Sequence, residues 1–272
     1  MQRNGFRFFE RLRVRWAEVD LQNIVFNGHY LTYWDIAISG YWRALGLPYT
    51  QAMAQLGAEL FVRKATLEYW ASAAYEDSLD VGMRCARLGR SSITFECCVF
   101  RDDQALVSGE LVYVYADAHA RKSMPVPEAL RQMLQDYEQG KDLWALTWST
   151  LPEHAEGSPS VRELVMTNRL VMSIGRLQCR EHPDPSSPLP AGVAGRSHEL
   201  IQLDITPGVR GQGMGGILLN ELKRESRAQG CSTLWARVPR YRITWFTQAG
   251  FTCHEEADDP AASDPALVTL AL

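Results

Sequence analysis

Two stretches of the chain bring together side chains and backbone that can do chemistry. The first is Glu18-Val-Asp-Leu-Gln-Asn-Ile-Val-Phe-Asn-Gly-His-Tyr30, with Asp20 ahead of a segment rich in Tyr and Trp. An aspartate just before a helix ordinarily caps it or closes a turn. Held beside an apolar groove, the same carboxylate can attack an electrophilic carbon or take a proton from water. The second stretch is Val209-Arg-Gly-Gln-Gly-Met-Gly-Gly216. A glycine-rich turn between a strand and a helix offers backbone N–H groups where a pyrophosphate can sit, and its glycines let a ligand approach the main chain closely. It lacks the Gly-Lys-Ser/Thr of a P-loop and the full dinucleotide-binding spacing.

Composition narrows the field. Of 272 residues, 46% are hydrophobic and 22% charged, as in globular protein, and the net charge is −4. Neither half is basic, so nucleic-acid binding has no electrostatic support. Cysteines stand at 85, 97, 98, 179, 231 and 253 with no Cys-x-x-Cys pair. No zinc site or other metal is expected, nor a disulfide framework. No apolar leader or run of ~18 apolar residues occurs. Together these predict a cytoplasmic protein with no membrane span.

The elements that must position the two stretches follow from periodicity. Leu12, Val14 and Trp16 alternate with arginines over 10–19, as a strand does. A loop runs from Asp20 to Gly28. Tyr30, Tyr33, Trp34, Ala37, Tyr41 and Leu45 recur at helical spacing, which predicts a helix over 29–46 stopped by Gly46 and Pro48. Strands are expected at 60–70, 79–88, 91–101 and 105–116, then a short helix at 127–139. That is an α+β layer, an antiparallel sheet packed on one long helix. We divide the chain into a domain at 1–140, a linker at 141–160 (Pro152, Gly157, Ser158, Pro159) and a domain at 161–272. The second domain holds a loop at 183–197. A strand (199–206), the glycine turn, a helix (217–229), a strand (232–238), a helix (241–249) and a strand (266–272) then make an α/β alternation.

The first half resembles the hotdog-fold acyl-CoA thioesterases of the 4-hydroxybenzoyl-CoA thioesterase type. Asp20, the pair Ile24-Val25, Asn27 and Tyr30 match the family motif. The likeness continues through Phe61 to Val81, Arg90-Ser91-Ser92, Gly109-Glu110-Leu111-Val112 and Arg121 to Pro127, covering about 8–135. It implies a thioester hydrolase with its site between two protomers of a homodimer or homotetramer. Asp20 would attack the thioester carbonyl or activate water. Backbone N–H groups near Glu59-Leu60 would polarise that carbonyl. Asn23 stands where a glycine is common and Asn27 where a histidine is often found; His29 is out of register.

The pattern Arg210, Gly213, Gly215, with Trp245 to Phe251 some thirty residues on, resembles the GNAT acyltransferase superfamily over 198–252. It implies that the pyrophosphate of acetyl-CoA lies on the turn, against Ile205, Arg210, Gly211, Gln212, Gly213, Met214, Gly215 and Gly216. Glu199 would be the general base. The usual acid, a tyrosine, is Phe246 here, and Tyr241 lies a turn earlier. The combined expectation is a hotdog domain followed by an α/β GNAT domain: hydrolysis of an acyl-CoA or acyl-carrier-protein thioester in one half, acyl transfer to an amine in the other. The alternative is one catalytic half, with the other a CoA-binding regulatory or a dimerising module.

Overall fold

The computed structural model describes residues 1–152, 160–182, 190, 193, 195–254 and 265–272. The chain forms two compact units. One is Met1–Trp144 with Asn168–Met172 and Pro207–Gln212. The other is Ala145–Thr167, Ser173–Thr206 and Gly213–Leu272.

The first unit is built on β1 (Phe8–Arg13), α1 (His29–Ala44), α2 (Tyr49–Leu56), β2 (Ala58–Tyr69), β3 (Ser78–Leu88), β4 (Ser92–Arg101), β5 (Gln104–Asp117) and α3 (Glu128–Glu138). Its five strands form one antiparallel sheet in the order β1-β3-β4-β5-β2. The strand expected at 10–19 stops at Arg13, and Trp16–Glu18 is a short 3-10 turn. Helix α2 was not expected, because Pro48 reads as a stop. It caps α2 instead, supplying the fixed φ a helix start accepts.

The aromatic face of α1 is core. Tyr30, Tyr33, Trp34, Ala37 and Tyr41 are each at most 2% exposed. Gly46, at φ +67°, turns the chain out of the helix. The Trp34 indole comes close to the sheet at Gly109 because that residue has no side chain. A Cβ there would fall 1.8 Å from the Thr66 carbonyl oxygen and 3.0 Å from Trp34.

One carboxyl lies half-buried against this core. Glu138 Oε1 accepts the Tyr41 hydroxyl and, at 2.8 Å, the Cys85 N–H. Burial holds the Glu138 carboxyl above its usual range, and the two hydrogen bonds oppose that shift without overcoming it. A raised folded-state value means the neutral acid is favoured in the fold. The stabilisation is complete at low pH and is lost as pH rises through that value. Glu138→Gln keeps the acceptor and removes the charge. It should melt a few degrees above wild type at pH 8, and the two should converge near pH 4. A lower melting point at pH 8 would contradict this account.

The second unit is a seven-stranded sheet: β6 (Trp144–Thr150), β7 (Val161–Asn168), β8 (Ser173–His182), β9 (Ser197–Ile205), β10 (Thr233–Val238), β11 (Thr252–His254) and β12 (Ala266–Ala271), in the order β11-β12-β10-β9-β8-β7-β6. Two helices accompany it, α4 (Met214–Ala228) and α5 (Ile243–Gln248). The strand and helix alternation expected from 199 onward is present as β9, α4, β10, α5 and β12, within a larger mixed sheet. The described strands are antiparallel at four recorded pairings, and β9 with β10 is parallel. Part of the stretch expected as a linker at 141–160 has regular structure. Residues 144–150 are an edge strand, and Trp144, Leu146 and Trp148 alternate with more exposed neighbours. Gly157, Ser158, Pro159 and most of the loop expected at 183–197 lie outside the described residues.

Candidate active site and glycine turn

Asp20 sits in a loop that is hydrogen-bonded to itself. Its N–H donates to the Ile24 carbonyl, its carbonyl accepts the Asn23 N–H (both 2.9 Å), and its Oδ1 accepts the Gln22 N–H at 2.8 Å. Asn23 has φ +60°. Asparagine tolerates that left-handed conformation, so it serves where a glycine would otherwise be needed.

The loop leads straight into α1. Gly28, the residue before the first turn, brings no side-chain cap. The first N–H groups of a helix have no partner within it, and they concentrate positive potential there. Asp20, Asn27 and Tyr30 line one cavity of about 380 Å³ at this helix end, with Phe26, Tyr69 and Trp70 at its rim. The cavity thus places a carboxylate beside the start of a helix whose first N–H, that of His29, donates to the Phe26 carbonyl at 2.9 Å.

The other expected residues fall as follows. The Asn27 carbonyl accepts the Tyr69 hydroxyl at 3.2 Å. The Tyr30 hydroxyl accepts the Ala73 N–H at 3.1 Å, and burial raises its phenol above the usual range. Tyr30 therefore braces the cavity wall, with its hydroxyl kept protonated. Glu59 is at the far end of β2 from Tyr69, about 33 Å along the strand at ~3.3 Å per residue. Its Oε1 takes both the Tyr49 hydroxyl and the Leu60 N–H, the latter at 3.0 Å. The Leu60 amide expected to polarise a carbonyl is thus already engaged. Sequence reasoning missed that the start of α1, with Gly28 in the capping position and no side-chain cap, borders this cavity through Tyr30.

In the second unit, the parallel pairing of β9 with β10 ends at Leu200 and Ala236, although β9 runs on to Ile205. The two strands part there. A 3-10 turn (Pro207–Val209) follows, and Gly211 (φ +82°) and Gly213 (φ +77°) carry the chain into α4. A Cβ at either glycine would meet nothing within 4 Å, so the backbone is open to a ligand. Met214 is buried, and Gly215 faces Trp245 and Ile205.

Glu199 is paired. Its Oε2 accepts Arg180 Nη1 at 2.9 Å and lies 3.3 Å from His182 Nε2, and the His182 ring rests on Trp235 with centroids 5.6 Å apart. These partners were not foreseen. The chain's one Cys-x-x-His spacing, Cys179 to His182, lies on β8, where positions three apart face opposite sides. Among the described residues no group of three or more His, Cys, Asp or Glu is arranged to hold a metal. Phe246 is buried between Trp245 and Phe251, and Tyr241 is 81% exposed.

Residues 22–108 match the sequence family described as the thioesterase superfamily. That match lies within the N-terminal half, whose antiparallel sheet carries β1 to β5, and the C-terminal half is a sheet-rich domain. The chain is 29% identical over 129 residues to a putative esterase of Aquifex aeolicus (strain VF5), covering 98% of that protein and 47% of this chain. Solved structures similar to it include a hypothetical protein from Aquifex aeolicus (28% identity, 98% of that chain and 47% of this one, TM-score 0.44). Another is a thioesterase complexed with coenzyme A and Zn from Thermus thermophilus (25% identity, 98% of that chain and 51% of this one, TM-score 0.43).

Proposed function

We propose that the N-terminal half hydrolyses an acyl-CoA thioester. One observation carries the reading: Asp20 lines a single cavity with Asn27 and Tyr30, where the loop enters α1. A thioester carbonyl placed there would meet hydrogen-bond donors at its oxygen and the carboxylate at its carbon. As charge develops on that oxygen, the helix N-terminus stabilises it. Asp20 either forms an acyl anhydride and expels the thiolate, or deprotonates a water that attacks.

The active form in this reading is a homodimer or homotetramer. β2 is the terminal strand of its sheet and exposes Phe61, Val62 and Tyr69. Pairing with a second β2, antiparallel about a two-fold axis, would bring Glu59 and Leu60 of one protomer toward the Asp20 cavity of its partner. We place the protein in the cytoplasm; no described helix is long and apolar enough to cross a membrane. Thiol release from short, long and aromatic acyl-CoAs, and from acyl-carrier-protein thioesters, tests the reading and separates the two carriers. Release from none of them by the purified oligomer would refute it.

For the C-terminal half (161–272, joined through 141–160) we propose that the turn from Ile205 to Gly216 binds the pyrophosphate of acetyl-CoA for transfer to an amine. The parting strands and the open glycines support this. Glu199, oriented by Arg180 and beside His182, is the group to accept the amine proton. Buried Phe246 offers no proton to the leaving thiolate, which favours coenzyme binding without transfer as the second reading. Gly213→Val would force a branched residue into φ +77° and place methyl groups over the amides. Calorimetry should show acetyl-CoA binding to wild type weakened at least tenfold in the variant. Equal affinity would remove the turn from the site.

A further inference from the structure

The Asp20 loop is tied to α1 at both of its ends, and each tie ends on a tyrosine of the same helix face. At the exit end, Val25 N–H donates to the Ala73 carbonyl at 2.9 Å, and Ala73 N–H donates to the Tyr30 hydroxyl at 3.1 Å. At the entrance end stands Glu18, 4% exposed. Its carbonyl accepts the Phe26 N–H at 2.9 Å and closes the loop. Its Oε2 accepts the Tyr33 hydroxyl at 2.7 Å and the Arg15 N–H at 2.8 Å, and its Oε1 accepts Arg15 Nε at 2.7 Å. Tyr30 and Tyr33 are three residues apart and stack edge to face with centroids 5.8 Å apart.

The geometry points to Glu18 as a positioning residue, which through Tyr33 fixes the Asp20 loop relative to the amides at the start of α1. The inference rests on the hydrolase reading given above.

A carboxylate is an expensive thing to bury, so its presence in a core position calls for a reason. A leucine would fill the space but hold nothing in direction. Glu18 has four donors around its two oxygens. Burial alone would raise its carboxyl, but the Arg15 amide, the Tyr33 hydroxyl and the Arg15 guanidinium together hold it below the usual range. It is therefore a charged acceptor at neutral pH, and hydrogen bonds to a charged acceptor are stronger and more directional than neutral ones. The carboxylate belongs to a loop and the amides that would meet the same carbonyl to the helix that follows it. Their separation is set by whatever joins the two. Displacement by about 1 Å of a group positioned for reaction can cost two orders of magnitude in rate.

Tyr33→Phe removes the link to α1 and leaves Glu18 its Arg15 partners. Glu18→Gln weakens the same link while keeping an acceptor. In the full-length protein, with the acyl-CoA that wild type cleaves fastest, each variant should lower kcat about tenfold and leave KM within twofold. The double variant should be no more than twofold worse than the worse single one, because both changes break one connection. Tyr137→Phe, in the same core, serves as control and should leave kcat within twofold. Hydrogen exchange supplies a readout independent of turnover: in Tyr33→Phe the amides of 20–26 should exchange at least tenfold faster, with the β3 and β4 amides unchanged. Unchanged exchange in that loop, or a loss that falls on KM, would overturn the proposal. If wild type cleaves no acyl-CoA but the loop amides loosen as described, the brace stands and the hydrolase reading fails.

Discussion

Asp20→Asn should lower the kcat for thioester cleavage by two to four orders of magnitude, the usual weight of a positioned base or nucleophile, and leave KM within threefold. The substitution is close to isosteric. Its side-chain oxygen can still accept the Gln22 N–H, so the loop keeps its shape and only the carboxylate's basicity and charge are lost. A change in loop structure is thereby separated from a change in chemistry. The melting temperature should stay within about 2 °C, since Asp20 lies on the rim of a cavity and not in the core. Full-length wild type and variant would be compared in a continuous thiol-release assay across the acyl-CoA panel. Retention of a third or more of the wild-type kcat would take the chemistry away from Asp20.

The second large effect concerns the fold. Gly109→Ala should destabilise the first unit by about 3 kcal/mol, the upper end of the overpacking range. The added methyl has no room. It meets the Thr66 carbonyl oxygen at 1.8 Å, which is backbone, and the edge of the Trp34 indole at 3.0 Å. Trp34 is fully buried and cannot swing aside. Relief requires parting β2 from β5 where Leu67 faces Gly109, or lifting α1 off the sheet. Either move disturbs the start of α1 as well, so activity should fall along with stability. Thermal unfolding should show a low-temperature transition for the first unit about 10 °C below that of wild type. A transition within 2 °C of wild type would mean that the sheet absorbs the methyl, contrary to the packing described here.

The first half was legible because its pattern is strong and local. Aromatic residues at three- and four-residue spacing mark α1, and turn residues punctuate β3, β4 and β5 at regular intervals. The second half was less so. The strand β6 was hidden by the polar and proline-rich stretch that follows it. β7 and β8 each carry a mixture of buried apolar and ion-paired residues, such as Glu163 with Arg176, that blurs alternation. The site divides the same way. Asp20, Asn27 and Tyr30 are close in sequence and fall around one cavity. Connections made through space left no spacing to read: Glu18 with Tyr33, and Glu199 with Arg180 and His182. The contact of the Leu60 amide with the Glu59 side chain was not legible either, since it depends on how the preceding side chain folds back.

The terminal strand β2 has one more consequence, and it concerns the chain before it has found a second copy. Twelve residues of sheet edge with Phe61, Val62 and Tyr69 exposed are a template on which other extended chains can stack. What stands against fibril growth is charge. Arg63, Lys64 and Glu68 lie exposed on the same strand, and an irregularity between Val62 and Lys64 breaks the ladder's regularity. Such gatekeepers repel a stacked copy in register while leaving a two-fold antiparallel encounter, with basic and acidic residues crossing, electrostatically permitted. Removing the charges would leave the site intact and turn a nascent chain that stays apart from its copies into one that aggregates during synthesis.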